Sequence, residues 1–196
     1  MAPQLTQITA RVPIPQHLSP NSVLSALHVY EPLITAHPYL VKYERRAVPL
    51  EDLVDDPFFR ADGIKLQAYV VHERVPIIKG VASKVVVIPC VFQSFTAGTR
   101  CRADASGGVT VRSSYEVRRR GEVPLGPGEK QVATANAANG EAHEWELVEI
   151  AVIDCPSLVK PFVTHSFASA HREILQRVVD EVIAKTDLMR KGDMYS

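Results

Sequence analysis

The residues able to do acid–base or nucleophilic chemistry in this 196-residue chain are spread over segments of strand or helix spacing. His171 stands within the series Phe167, His171, Ile174, Leu175, Val178 and Val182, which repeats with the helical period. An imidazole there titrates near neutrality and can serve as a general acid or base, or it can be a core histidine bonded to a neighbour. Tyr115 and Ser113 fall on one side of an alternating run with Val109, Val111 and Val117, where they can orient a carbonyl or a phenol or simply pack. Arg45 shares a side with Val41, Tyr43 and Ala47. If it points inward it needs a partner, Glu149 or a ligand carboxylate, unless it sits at a rim. His72 ends the series Ile64, Leu66, Ala68, Val70, which places it inward near a rim or out in solvent. Cys101, with Thr99 and Ala103, is a nucleophile only beside a base, since buried thiols are otherwise inert.

Other matches carry less. Ser157 and Lys160 satisfy S-x-x-K, but the companion motifs of serine acyl-enzymes are missing, so the match reads as coincidence. His143-Glu144 has no second histidine four residues after the first, which excludes a zincin, and Glu51 to Asp56 lacks the glycine of a calcium loop. Neither the Gly107 cluster nor the Gly126 cluster leads into a helix as a phosphate cradle does. Arg118-Arg119-Arg120 reads as a solvated strand end. Nucleotide, flavin and metal cofactors are disfavoured, and none is expected.

The elements that must position these side chains follow from periodicity. Residues 5–12 alternate and run into Pro13 and Pro15, a first strand. Ser19-Pro20-Asn21-Ser22 caps a short apolar stripe interrupted at Pro32 and closed near Pro38, which fits two short helices. Alternation returns from Leu40, residues 49–62 are an acidic loop, and strands follow over 64–74, 84–95, 99–105, 109–119 and 145–153. Gly107-Gly108 is the strongest hairpin signal among the turns. In the strand from Trp145 the inward face is ambiguous, because Glu149 lies with Leu147 and Ala151 while Glu146 lies with Val148 and Ile150. An insertion over about 120–144 is small, polar and without period, a lid or a disordered loop. A long helix over 161–185 follows, with a frayed tail from Asp187.

Twenty-two basic against 22 acidic residues give no net charge, which removes the main electrostatic attraction to nucleic acid or to anionic lipid. Three cysteines without C-x-x-C spacing point to a reducing, cytoplasmic setting. No secretory signal and no apolar stretch near the ~20 residues of a bilayer span is evident.

The order of strand, two short helices, antiparallel meander and long C-terminal amphipathic helix over about Leu5 to Lys185 resembles the START-like, or SRPBCC, helix-grip superfamily. The segments Tyr30-Glu31-Pro32-Leu33-Ile34-Thr35-Ala36-His37-Pro38 and Pro156-Ser157-Leu158-Val159-Lys160-Pro161-Phe162 also resemble an uncharacterised branch found in filamentous fungi. The resemblance implies an α+β domain over 1–186, its curved antiparallel sheet wrapped around the last helix, with 187–196 as tail. It also implies an apolar chamber between sheet and helix that holds a small hydrophobic metabolite. Tyr43, Val70, His72, Cys101 and Val111 would line that chamber. So would Ser113 and Glu149 from the sheet, and Phe167, Ile174 and Leu175 from the helix. Chemistry there would be cofactor-free cyclisation, dehydration or isomerisation in secondary metabolism, with His171, Tyr115 and Arg45 as the acting residues. A non-catalytic lipid carrier, with the insertion as its gate, and a solid-core interaction module remain open alternatives, as does the oligomeric state.

Overall fold

The computed structural model describes residues 5–60, 63–78, 82–124, 145–158 and 160–193. Alternation and β-branched residues build seven strands: β1 (Thr6–Ile14), β2 (Leu40–Arg46), β3 (Lys65–Ile78), β4 (Ala82–Phe95), β5 (Gly98–Ala105), β6 (Val109–Arg119) and β7 (Trp145–Asp154). Helices α1 (Pro20–Val29) and α2 (Glu31–Thr35) separate β1 from β2, and α3 (Lys160–Asp193) follows β7. The strands form one sheet in the order β1-β7-β6-β5-β4-β3-β2, every neighbour antiparallel. β1 extends past the expected 5–12 and takes in Pro13; on an edge strand a proline leaves no central ladder bond unmade.

The concave side is fixed by register. Glu149, Tyr115, Thr99 and Ser94 lie opposite one another on successive strands, and the next row is Ala151, Ser113, Cys101 and Phe92. Val12 and Ile14 of β1, Leu147 of β7, Val23 and Leu27 of α1, and Ile174, Leu175, Val178, Val179 and Val182 of α3 form the core. Each such aliphatic side chain contributes about 1.5–3 kcal/mol on burial. At the junction of α1 and α2, Tyr30 adopts φ 74°, a left-handed conformation unfavourable for a tyrosine. Its hydroxyl bonds to Ser94 Oγ at 2.7 Å and donates to Lys65 O at 2.9 Å, and its ring stacks on Phe92. Gly107 and Gly108 both take positive φ in the β5–β6 turn, as the hairpin signal required.

β3 departs from the sequence reading. Tyr69 and Val71, not Ala68 and Val70, join the concave core, so Val70 and His72 stand on the convex side. The cause is residues 48–60, which fold through a 3-10 turn over Leu50–Asp52 and bury Leu53 with Ala68 and Val91 on the convex side, against Leu66 and Phe59. Both faces of β3 are therefore apolar, and alternation marks two faces without saying which one meets the main core. Asp56 anchors this segment, bonding Arg102 at 2.7 Å and accepting the Phe58 N–H at 3.0 Å. Burial alone would raise its carboxyl, but these bonds and the charge of Arg112 outweigh it and hold it below the usual range.

α3 also differs, continuing to Asp193 where a tail from Asp187 was expected. Nothing between Lys185 and Lys191 breaks a helix. Lys185 pairs with Glu181 and Thr186 Oγ1 donates to Val182 O one turn back. The insertion is described as far as Pro124, in the turn after β6; its remainder, 125–144, lies outside the described residues.

Candidate functional site

Strand alternation puts Glu149 of β7 and Tyr115 of β6 on the concave face, and the 3.6-residue period of α3 turns His171 down onto them. Glu149 is 1% exposed. His171 Nδ1 lies 2.8 Å from both of its carboxylate oxygens. A carboxylate only accepts, so Nδ1 donates to Glu149 and Nε2 is the ring nitrogen left for other partners. Tyr115 stands beside Glu149 and Ser113; burial, with the Glu149 charge next, pushes its phenol well up, so the hydroxyl stays protonated. Phe167, one turn before His171, stacks on the imidazole with 3.5 Å between ring centroids.

A second polar pair joins this cluster. The His37 ring meets His171 edge-on at 6.2 Å, and His37 Nδ1 lies 3.3 Å from Glu73 Oε1 on β3. Desolvation lowers His37 to about 4, helped by the charges of His171 and Arg177. Desolvation raises Glu73 to about 7, with the His171 charge opposing. Burial thus makes the pair neutral, with the proton on Glu73.

Cys101 lines the same wall. Its contact with the Cys90 thiol, then burial, then nearby negative charge including Glu149 push its thiol well above the usual value, which makes it a poor nucleophile. Cys90, Cys101 and Cys155 are all free and buried. Among the described residues no group of three His, Cys, Asp or Glu is placed to hold a metal ion.

His171, Tyr115, Glu149, Phe167, Ser113 and Cys101 therefore come together, and the ambiguity of β7 resolves with Glu149 inward. Val111 is half-buried on the same face, whereas Ile174 and Leu175 pack in the core where α3 meets β1. Four residues stand elsewhere than expected. Val70 and His72 lie on the convex side for the reason given above. Arg45 shares the concave side of β2, but β2 is an uncovered edge strand, so Arg45 is exposed and Glu149 is partnered by His171 instead. Tyr43 is also exposed there, its ring 6.1 Å from that of Tyr69. His37 and Glu73 escape a sequence reading. The signal for Glu73 was the alternative series Tyr69, Val71, Glu73, displaced by one residue from the one chosen.

A curved antiparallel sheet, two short helices after its first strand and a long C-terminal helix lying against it define the helix-grip, Bet v 1-like fold, as the order of elements suggested. Solved structures share it, two of them as follows. TTHA0849 from Thermus thermophilus has a TM-score of 0.52 at 11% identity, with 93% of this chain and 99% of that one covered. Ara h 8.0201 has a TM-score of 0.50 at 9% identity, with 92% and 99% covered. Residues 3–184 match the family described as Domain of unknown function (DUF7053), and the chain belongs to that family. No curated protein matches the sequence.

Proposed function

We propose that the chain binds a small hydrophobic metabolite between the concave face of the sheet and α3, and that Tyr115, Glu149 and His171 carry out cofactor-free acid–base chemistry on it. The observation that supports this best is the buried Glu149, bonded to His171 and set beside Tyr115 on the concave face. Glu149 sets the tautomer so that Nε2 of His171 can take a proton, and cyclisation, dehydration or isomerisation needs such a group beside a held conformer. Room for a ligand is suggested by Ile88, Ala103 and Val111, concave-face residues that stay half-buried on three adjacent strands. The carrier reading uses the same chamber without the chemistry, and its lining would be the same.

Three buried free thiols favour a reducing compartment, which we take to be the cytoplasm, and no described helix is long and apolar enough to cross a membrane. We take fungal secondary metabolism as the setting, on the likeness of the two quoted segments alone. Native mass spectrometry of the purified chain should show a co-purified small hydrophobe. Incubation with candidate intermediates should then show turnover that His171→Phe abolishes with the fold intact. Turnover unchanged in that variant removes the catalytic role, and a bound compound never converted leaves the carrier reading.

A further inference from the structure

We propose that the polar end of the ligand is an uncharged oxygen, a ketone or hydroxyl held by Ser113, and that ligands ending in a carboxylate are rejected; this rests on the chamber reading above. Ser113 is 2% exposed, and its Oγ makes no well-formed hydrogen bond among the described residues, the nearby Tyr115 hydroxyl making only a weak contact with it. A buried hydroxyl left unbonded costs about 1–3 kcal/mol, and folded proteins seldom tolerate it without a purpose. Ser113 pairs with Cys101 on one side and Ala151 on the other, so it faces the concave side. The next residues on that face toward the free end of the β5–β6 hairpin, Val111 and Ala103, are half-buried and apolar. The hydroxyl thus stands where the polar cluster gives way to apolar wall, the place where the one oxygen of a mostly hydrocarbon molecule would come to rest.

The sign of the local charge decides which oxygen that is. Glu149 sits diagonally across from Ser113, a geometry that places the two residues about 7–8 Å apart. Its buried charge helps to keep both the Tyr115 phenol and the Cys101 thiol protonated, and an incoming carboxylate meets the same penalty. The strand cations on this side stand away from Ser113: Arg45, Lys65 and Lys84 are exposed on β2, β3 and β4, and the half-buried Arg119, at the far end of β6, lies over the Trp145 ring. On α3, Arg177 is engaged by Glu173 and by Ala36 O, and the Nδ1 proton of His171 is given to Glu149. A serine hydroxyl donates to a ketone, or donates to and accepts from an alcohol, and so suits a neutral group.

The test is displacement of the uncharged dye phenylnaphthylamine, followed by fluorescence at pH 7.5, by undecanone, undecanol and undecanoate. The ketone and alcohol should displace it at concentrations about tenfold or more below those needed for undecanoate. Ser113→Ala should weaken the ketone about fivefold relative to the dye. Glu149→Gln should narrow the gap between undecanoate and the other two, and the Ser113→Ala result stands by itself if that variant folds poorly. Undecanoate displacing bound dye as well as undecanone overturns the charge selection and leaves the chamber intact. Dye that never binds takes the chamber reading down, and this inference with it.

Discussion

Glu73 and His37 hold one proton between them, and its position differs between the folded and unfolded chain. Folded, Glu73 keeps its proton up to about pH 7, against 4.5 for an ordinary glutamate, so its burial costs stability as pH rises across that interval. Folded, His37 stays neutral down to about 4, against an ordinary 6.5, so its burial costs stability as pH falls across that interval. Between about 4.5 and 6.5 each state binds a single proton here, on Glu73 when folded and on His37 when unfolded, and the two slopes cancel. Glu73→Gln leaves only the histidine slope. The variant should lose about 2–3 kcal/mol relative to the parent chain between pH 6.5 and 4.5, read from urea midpoints at the two pH values. His37→Gln should show the opposite trend, losing stability as pH rises from 4.5 to 7. Parallel profiles for Glu73→Gln and the parent would mean that the two groups are not coupled through burial. Spacing gives no signal for His37, which follows a short helix, and for Glu73 it gives only a place in the series with Tyr69 and Val71, its nearness to His171 arising when the sheet curls.

Elements differ in how far their inner face can be read, and the reason is what covers the outer one. On β6 the convex positions are Arg112, Ser114, Glu116 and Arg118, so the alternation is unambiguous and Val111, Ser113 and Tyr115 face inward as it indicates. On β3 the docked 48–60 segment makes the second face apolar, and the same rule yields the wrong side. β7 was undecidable because a glutamate occurs on each face. Glu146 is satisfied by Arg11 on the convex side, and Glu149 by His171 inside. The order of elements was readable because it depends on period and turn chemistry, which are local. Their extent was less so, as the two further turns of α3 show. At the β4–β5 turn, Gly98 is set by a contact that no local pattern reveals. A Cβ there would lie 1.8 Å from the Tyr115 carbonyl oxygen, so the close approach of β5 and β6 beside the site needs glycine. Gly98→Ala should force the two strands apart and cost about 1–3 kcal/mol, measured as a lowered denaturation midpoint. An unchanged midpoint would show that the strands accommodate a methyl group by a small shift.

For the whole molecule, the curl of the sheet has to bridge distant strands. β7 and β3 are four strand spacings apart, about 19 Å along a flat sheet. Yet Glu149 on β7 reaches Glu73 on β3 through two histidines, with contacts of 2.8 Å, 6.2 Å between rings, and 3.3 Å. α3 lies across the gap, and its two halves are held differently. Ile174, Leu175, Val178, Val179 and Val182 are buried in the core beside β1 and α1. Before His171, each described side chain of α3 is half-buried or exposed, and the contacts described there are the polar ones of His171 and the stacking of Phe167 on it. Local opening follows the number of buried apolar contacts, so the first half of the helix should open at lower free energy than the second. Hydrogen exchange should show residues 160–171 exchanging well ahead of 174–183. A saturating uncharged hydrophobe should then slow the first half and the amides of β5 and β6 near Ala103 and Val111, leaving the already protected second half unchanged. Equal protection along α3 without ligand would mean that the helix is seated on the sheet over its whole length, a closed interior with no end free to admit a guest.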